Sequence, residues 1–128
     1  IIHKRRDPDR PNQVQVHELV GEVEGRTCLL VDDMIDTAGT IVAAAKALKD
    51  NGAAKVIVAA THAIFSNPAV ERLSSDAVDS VVVTNTLPIP AEKQFEKLTV
   101  LSIAPLIASA IEAVFSDDSV SRFFPGHA

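Results

Sequence analysis

The sequence predicts an α/β sandwich: a mostly parallel sheet flanked by helices, preceded by an N-terminal hairpin with a flexible loop. Three observations carry this. Four short β-rich runs, Thr27 to Val31, Lys55 to Ala60, Asp79 to Thr84 and Leu98 to Ser102, are nearly continuous apolar sequence, the pattern of strands covered on both faces in a parallel sheet. Helical periodicity fills the gaps, so strands and helices alternate at intervals of roughly 20 to 25 residues. The segment before Arg26 has a different texture, with two β-like stretches around a charged, proline-bearing connection.

Taken in order, Ile1 to Arg5 and Val14 to Val20 read as the two hairpin strands. Asp7, Pro8, Asp9, Arg10, Pro11 and Asn12 form a mobile tip between them. The division expected is a loop-and-hairpin unit over 1–25 and an α/β domain over 26–128. After the strand Thr27 to Val31, Ile41, Ala45 and Leu48 recur at helical spacing through Gly39 to Asn51, and Asn51-Gly52 supplies the stop. With the strand Lys55 to Ala60 this makes one βαβ unit. A shorter helix is predicted from Pro68 to about Leu73, with Asn67 as cap and Pro68 at its first position. The last helix, Pro105 to Phe115, aligns Ile107, Ala110, Ile111 and Val114 on one stripe.

A chain of 128 residues, 47 % hydrophobic, is long enough for one domain with a real core. No apolar run approaches the roughly 20 residues of a membrane span. The net charge of −5 argues against a general nucleic-acid binder, while Lys4, Arg5, Arg6 and Arg10 put a basic segment on an acidic body, which suits a small anionic ligand. Cys28 is the single cysteine, so no internal disulfide or Cys-x-x-Cys metal site forms, and a cytoplasmic location is expected. Ile1-Ile2 without an initiator Met reads as a strand entered midway, so a fragment of something longer is expected.

The chemistry concentrates in VDDMIDTAGTI, Val31 to Ile41. In open α/β sheets ligands bind where strand carboxyl ends lead into helix N-termini, whose first N–H groups and positive dipole end favour an anion. Thr37 and Thr40 add hydroxyl donors, and Gly39 lets the backbone approach closely. Asp32 and Asp33 need a different task, because bare carboxylates would repel a nearby phosphate. Paired carboxylates can accept hydrogen bonds from a sugar diol or hold Mg2+. A phosphorylated pentose satisfies both halves of the motif. Asp36 suits either a base or an electrostatic partner of the anomeric region, and spacing does not choose between them.

Blander readings of the same residues stand beside these. Asp32-Asp33 also suits a helix-capping, solubilising turn, or the Mg2+ site of a receiver-type domain or an aspartate-based phosphatase. Lys4, Arg5 and Arg6 read as a solvated basic tip, His62 as a structural or solvent-facing histidine, and Cys28 as core.

VDDMIDTAGTI resembles the phosphoribosyl diphosphate-binding signature of the type I phosphoribosyltransferase fold. Within that fold the chain resembles the ribose-phosphate diphosphokinases. KRRDPDRPN at Lys4 to Asn12, VGEVEGRTCLLVDD at Val20 to Asp33 and ATHAIFS at Ala60 to Ser66 support this. TNTLPIP at Thr84 to Pro90, LSIAPLIASAI at Leu101 to Ile111 and SVSRFF at Ser119 to Phe124 continue the match, in order, over essentially the whole chain.

The resemblance implies attack of the anomeric hydroxyl of ribose 5-phosphate on the β-phosphorus of Mg-ATP, giving phosphoribosyl diphosphate and AMP. It implies that Asp32 and Asp33 contact the ribose hydroxyls, directly or through Mg2+, and that Asp36, Thr37, Ala38, Gly39 and Thr40 form the 5-phosphate loop. Lys4 and Arg6 match the basic pair of a flexible catalytic loop that closes over ATP, apt for a reaction catalysed mainly by positioning and electrostatics. Ser119 and Ser121 match a segment that binds phosphate or ADP at a regulatory site between subunits, and a hexameric homo-oligomer is implied.

His3 departs from the pattern, standing where many members carry an acidic residue. The family also has a second, similar domain upstream, supplying much of the adenine pocket and a metal-binding histidine. Two other readings share parts of the pattern. A nucleobase phosphoribosyltransferase has the signature but not the loop at Lys4 to Asn12 or the SVSRFF tail. A non-catalytic regulatory subunit would not need Lys4, Arg6, Asp32, Asp33 and Asp36 intact.

Overall fold

The computed structural model describes residues 2–6, 14–19 and 21–123. The predicted connection Asp7 to Asn12 lies outside the described residues, as do Ile1, Val20 and Phe124. Strands β1 (Ile2–Arg6) and β2 (Val14–Leu19) pair antiparallel as a separate two-stranded sheet, with an irregularity between His3 and Lys4. Four strands build the main sheet: β3 (Thr27–Ile35), β4 (Lys55–Ala63), β5 (Ser80–Thr84) and β6 (Leu98–Leu101). They lie in sequence order and every pairing is parallel. Each carboxyl end therefore reaches the same edge, as the apolar runs predicted.

The connections are α1 (Gly39–Asp50) between β3 and β4 and α2 (Ala69–Leu73) between β4 and β5. Both cover one face of the sheet. Val56, Val58 and Ala60 of β4 and Val81 and Val83 of β5 meet Ile41, Ala45 and Leu48 of α1 and Leu73 of α2 in one core. Cys28 and Leu30 of β3 pack against that core, so the single thiol is a core residue, as expected. A 3-10 turn at Ala91–Lys93 precedes β6, and Phe95 beside it meets the buried Phe65 edge-on, ring centroids 6.0 Å apart. The last helix, α3 (Ala104–Phe115), is followed by a 3-10 turn, Val120–Phe123, that packs back on it.

Three expectations are corrected. The strands are not covered on both faces: Leu29 and Val31 of β3 are 60 % and 72 % exposed, because α1 and α2 lie on the other side of the sheet. β3 and β4 each run past their predicted ends, so Asp32 and Asp33 sit within a strand rather than after one. Asn67 does not cap α2, whose N-cap residue is Pro68 without a side-chain capping bond; the Asn67–Pro68 peptide is cis.

Candidate functional site

The carboxyl edge of the sheet is built from four segments: Asp36 to Ala38 after β3, Ile64 to Ser66 after β4, Asn85 to Leu87 after β5 and Ser102-Ile103 after β6. The first two are stitched together, since the Ile64 and Phe65 amides both donate to Ile35 O, at 3.0 and 3.1 Å. Lys93 Nζ adds a bond to Ile64 O at 2.9 Å.

The turn into α1 is the distinctive part. Ala38, buried, takes φ 59° and ψ 7°, the left-handed region that a Cβ makes costly, and its carbonyl accepts the first helical bond from Val42 N–H. The amides of Gly39, Thr40 and Ile41 follow with no protein acceptor among the described residues, and no side chain caps the helix. The first turn carries no acidic residue. Thr37 is exposed and Thr40 partly exposed. At α3 the start is partly occupied instead: Ile103 N–H donates to Asn85 Oδ1 at 2.9 Å and Ala104 N–H to Ser102 Oγ at 3.3 Å. Of these two long helices, α1 presents an open set of N–H donors with the positive end of its dipole.

The glycine of the turn has a specific neighbour. Gly39 does not take the positive φ; a Cβ there would stand 3.1 Å from Arg72 Nη1 and 3.9 Å from Thr37 Oγ1. Arg72, on α2, donates from Nη1 to Thr37 O at 2.9 Å. Arg72 escapes sequence reasoning because nothing in its local pattern marks it. Only packing of α2 beside α1 brings a residue 35 positions away to this turn.

Asp32 and Asp33 precede the turn. Asp33 N–H donates to Asp32 Oδ1 at 3.0 Å, and Met34 N–H to Asp33 Oδ1 at 2.8 Å. One oxygen of each carboxylate is thereby tied to the backbone. No cluster of three or more His, Cys, Asp or Glu is gathered among the described residues. The donor set nevertheless fits Mg2+, which usually binds through one or two carboxylates and completes its shell with water and substrate phosphate oxygens.

His62 faces this edge from β4, paired in register with Met34. Its Nδ1 lies 2.9 Å from Thr86 Oγ1, while Thr86 Oγ1 donates to Thr61 O at 3.1 Å and Thr84 Oγ1 to the same carbonyl at 2.7 Å. Thr86 Oγ1 therefore links the His62 ring to the Thr61 carbonyl. His62 is thus a structural tie between β4 and the Thr84 to Thr86 corner, in keeping with its blander reading.

The other predicted site residues stand elsewhere. Lys4 and Arg6 lie in β1, opposite Val16 and Val14 of β2, so the basic pair belongs to the hairpin and not to the main sheet. Ser119 lies just before the final 3-10 turn and Ser121 within it, where Ser119 N–H donates to Asp118 Oδ1 and Ser121 N–H to Ser119 Oγ. The structure brings Asp32 to Thr40 together with Arg72 and the His62 network along one edge.

Comparison with known proteins matches this arrangement. The family model described as "Phosphoribosyl synthetase-associated domain" fits residues 8–125. A ribose-phosphate pyrophosphokinase of Mycobacterium leprae is 58 % identical over all 128 residues, which span 39 % of that protein. One from Aquifex aeolicus is 52 % identical over 124 residues, 97 % of this chain and 39 % of the relative. The crystal structure of phosphoribosylpyrophosphate synthetase from Mycobacterium smegmatis superposes with a TM-score of 0.72 at 56 % identity, covering 77 % of this chain and 33 % of that one. The chain therefore spans about two fifths of the length of the curated relatives it matches. With the signature loop at the carboxyl edge of a parallel sheet and the family model matched over nearly the whole chain, the protein belongs to the phosphoribosyl synthetase-associated domain family.

Proposed function

We propose that the protein carrying this chain transfers the β,γ-diphosphoryl group of Mg-ATP to the anomeric hydroxyl of ribose 5-phosphate, forming phosphoribosyl diphosphate and AMP, and that this stretch supplies the sugar-phosphate half of the site. The observation that carries the reading is the uncapped start of α1, directly behind Asp32, Asp33 and Asp36 at the carboxyl edge. The names of the long relatives support the reaction.

In this reading the amides of Gly39, Thr40 and Ile41 and the hydroxyls of Thr37 and Thr40 hold the 5-phosphate. Asp32 and Asp33 orient the ribose through its hydroxyls, and their carboxylates are the ligands this chain offers to Mg2+. Mg2+, when bound, neutralises charge on the nucleotide phosphates. Asp36 stands between the phosphate cradle and the diol. Lys4 and Arg6 stabilise charge on the transferring phosphoryl oxygens as the hairpin closes over ATP. A cytoplasmic location, a hexameric homo-oligomer and phosphate or ADP binding through Ser119 and Ser121 belong to the same proposal. Among the described residues, no helix is long and apolar enough to cross a membrane.

Kinetics of the complete enzyme test this. AMP should form from ATP only with ribose 5-phosphate and Mg2+ present. Asp36→Ala should raise KM for ribose 5-phosphate, whereas Lys4→Ala or Arg6→Ala should lower kcat by on the order of 10² with little change in that KM. Diphosphate release coupled to consumption of a nucleobase would sink the synthetase reading in favour of a phosphoribosyltransferase.

A further inference from the structure

The turn Thr37-Ala38-Gly39 holds a conformation that its own residues do not favour. Ala38 sits in the left-handed region without being glycine, a choice costing about 1 to 2 kcal/mol, and such a turn persists only when its surroundings hold it. Arg72 is one part of those surroundings, beside the apolar core in which Ala38 is buried. Its Nη1 bonds Thr37 O, the carbonyl immediately before Ala38, and the same nitrogen occupies the space a side chain on Gly39 would need. The bond crosses from α2 to the α1 entry and joins two elements that also share the apolar core. Among the described residues Arg72 forms no ion pair with a carboxylate, and its side chain is exposed.

We propose that Arg72 is a positioning residue for phosphate binding: it braces the Thr37-Ala38-Gly39 turn so that the amides of Gly39, Thr40 and Ile41 converge on one anion, and its charge offsets the field of Asp32, Asp33 and Asp36. This rests on reading the turn as the 5-phosphate site. It gives Gly39 a reason that backbone dihedrals do not, since a Cβ there would stand 3.1 Å from Arg72 Nη1 and displace the guanidinium from its place above the turn. It also answers the electrostatic problem posed by three aspartates beside an anion site, because a guanidinium fixed at the turn supplies compensating charge and a geometry that an ammonium does not reproduce.

The test is steady-state kinetics of the complete enzyme at saturating Mg-ATP, with ribose 5-phosphate varied and thermal midpoints recorded for every variant. Arg72→Met, which keeps bulk and removes charge and donors, should raise KM for ribose 5-phosphate by about tenfold, the scale of one lost charge-assisted hydrogen bond, with kcat within about twofold. Arg72→Lys should recover only part of that loss. Inorganic phosphate, used as a competitive probe, should weaken in parallel. Gly39→Ala should raise KM alone, yet add little on top of Arg72→Ala, because the space it needs is then vacant; this cycle stays informative if Arg72→Met folds poorly. Additive effects of Gly39→Ala and Arg72→Ala, or an unchanged KM in Arg72→Met while Asp36→Ala raises it, would overturn the brace and leave the loop assignment standing. An unchanged KM in Asp36→Ala, Gly39→Ala and Arg72→Met together would overturn the loop assignment itself, and the brace with it.

Discussion

Helices α1 and α3 have the same length and α3 is the more apolar of the two, yet it is α1 that is buried. α1 buries Ile41, Val42, Ala45 and Leu48 in one core with β4, β5 and α2, and buries Ala44 as well. α3 buries only Ala113 and leaves Leu106, Ile107, Ile111, Val114 and Phe115 exposed, Phe115 to 87 %. The sheet divides in the same way, with one face closed under α1 and α2 and Leu29 and Val31 open on the other. Apolar periodicity therefore reports which surfaces are costly to wet, and chain topology decides which of them this stretch covers by itself. The candidate site sits on the closed side, at the entry to α1. Its precision depends on packing that α3 lacks.

The most severe test of the contrast is truncation of one large apolar residue in each helix. Leu48→Ala in α1 should cost about 2 to 5 kcal/mol, the range for a buried leucine that leaves a cavity. Ile111→Ala in α3 should cost less than about 1 kcal/mol in this chain, the surface range. Urea unfolding of both variants decides the matter, and equal losses would mean that α3 is as well packed as α1. A smaller effect is expected where the two helices begin. Ala38→Val places a β-branched side chain at φ 59° and should cost at least about 1 to 2 kcal/mol, whereas Ala38→Gly should be near neutral or favourable. The matching position of α3, Ile103, lies in the right-handed region, so Ile103→Val should show no such penalty in the same thermal melts.

The smallest effect concerns charge at the far end of α1. Lys49, in its last turn, bonds Asp79 Oδ2 at 2.8 Å, and Val56 N–H donates to the same oxygen at 2.6 Å. The Lys49 hydrogen bond, then the Val56 amide, hold the Asp79 carboxyl below its ordinary value. A carboxylate whose folded value is lowered binds its proton more readily when unfolded, so its contribution is present above the ordinary carboxylate range and lost as pH falls through the folded value. Asp79→Asn should flatten that acid limb of the stability profile. The side chains are partly exposed, 26 % for Lys49 and 36 % for Asp79, so the change should be modest and shrink with added salt. An acid limb as steep as that of the parent would remove Asp79 from the account.

The elements most legible in the sequence were those fixed by short-range pattern. The α1 span was readable because Ile41, Ala45 and Leu48 repeat at helical spacing and Gly52, at φ 86°, ends it. The strand ends were harder to read, because the residues that carry β3 and β4 to the edge are polar or charged at Asp32, Asp33, Thr61 and His62. They remain in strands because the parallel ladder between β3 and β4 continues past the apolar core. Asn67 looked like a cap because its chemistry suits one, but α2 begins two residues later without using it. In the site, the signature run was legible as a strand-to-helix turn preceded by carboxylates. Its left-handed residue was not, since nothing in the side chain of Ala38 marks it as the one that holds φ 59°.

The sequence by itself determined the parallel α/β order, the position of the signature turn after β3 and the chemistry of its residues. Each follows from local spacing and side-chain type. Only the tertiary structure decided that one sheet face closes and the other stays open, that α1 begins without a cap while α3 begins with Asn85 and Ser102 on its amides, and that Arg72 reaches Thr37 and Gly39. These depend on which segments, distant along the chain, the packing of α1 and α2 brings within hydrogen-bond reach, and no local pattern encodes that distance.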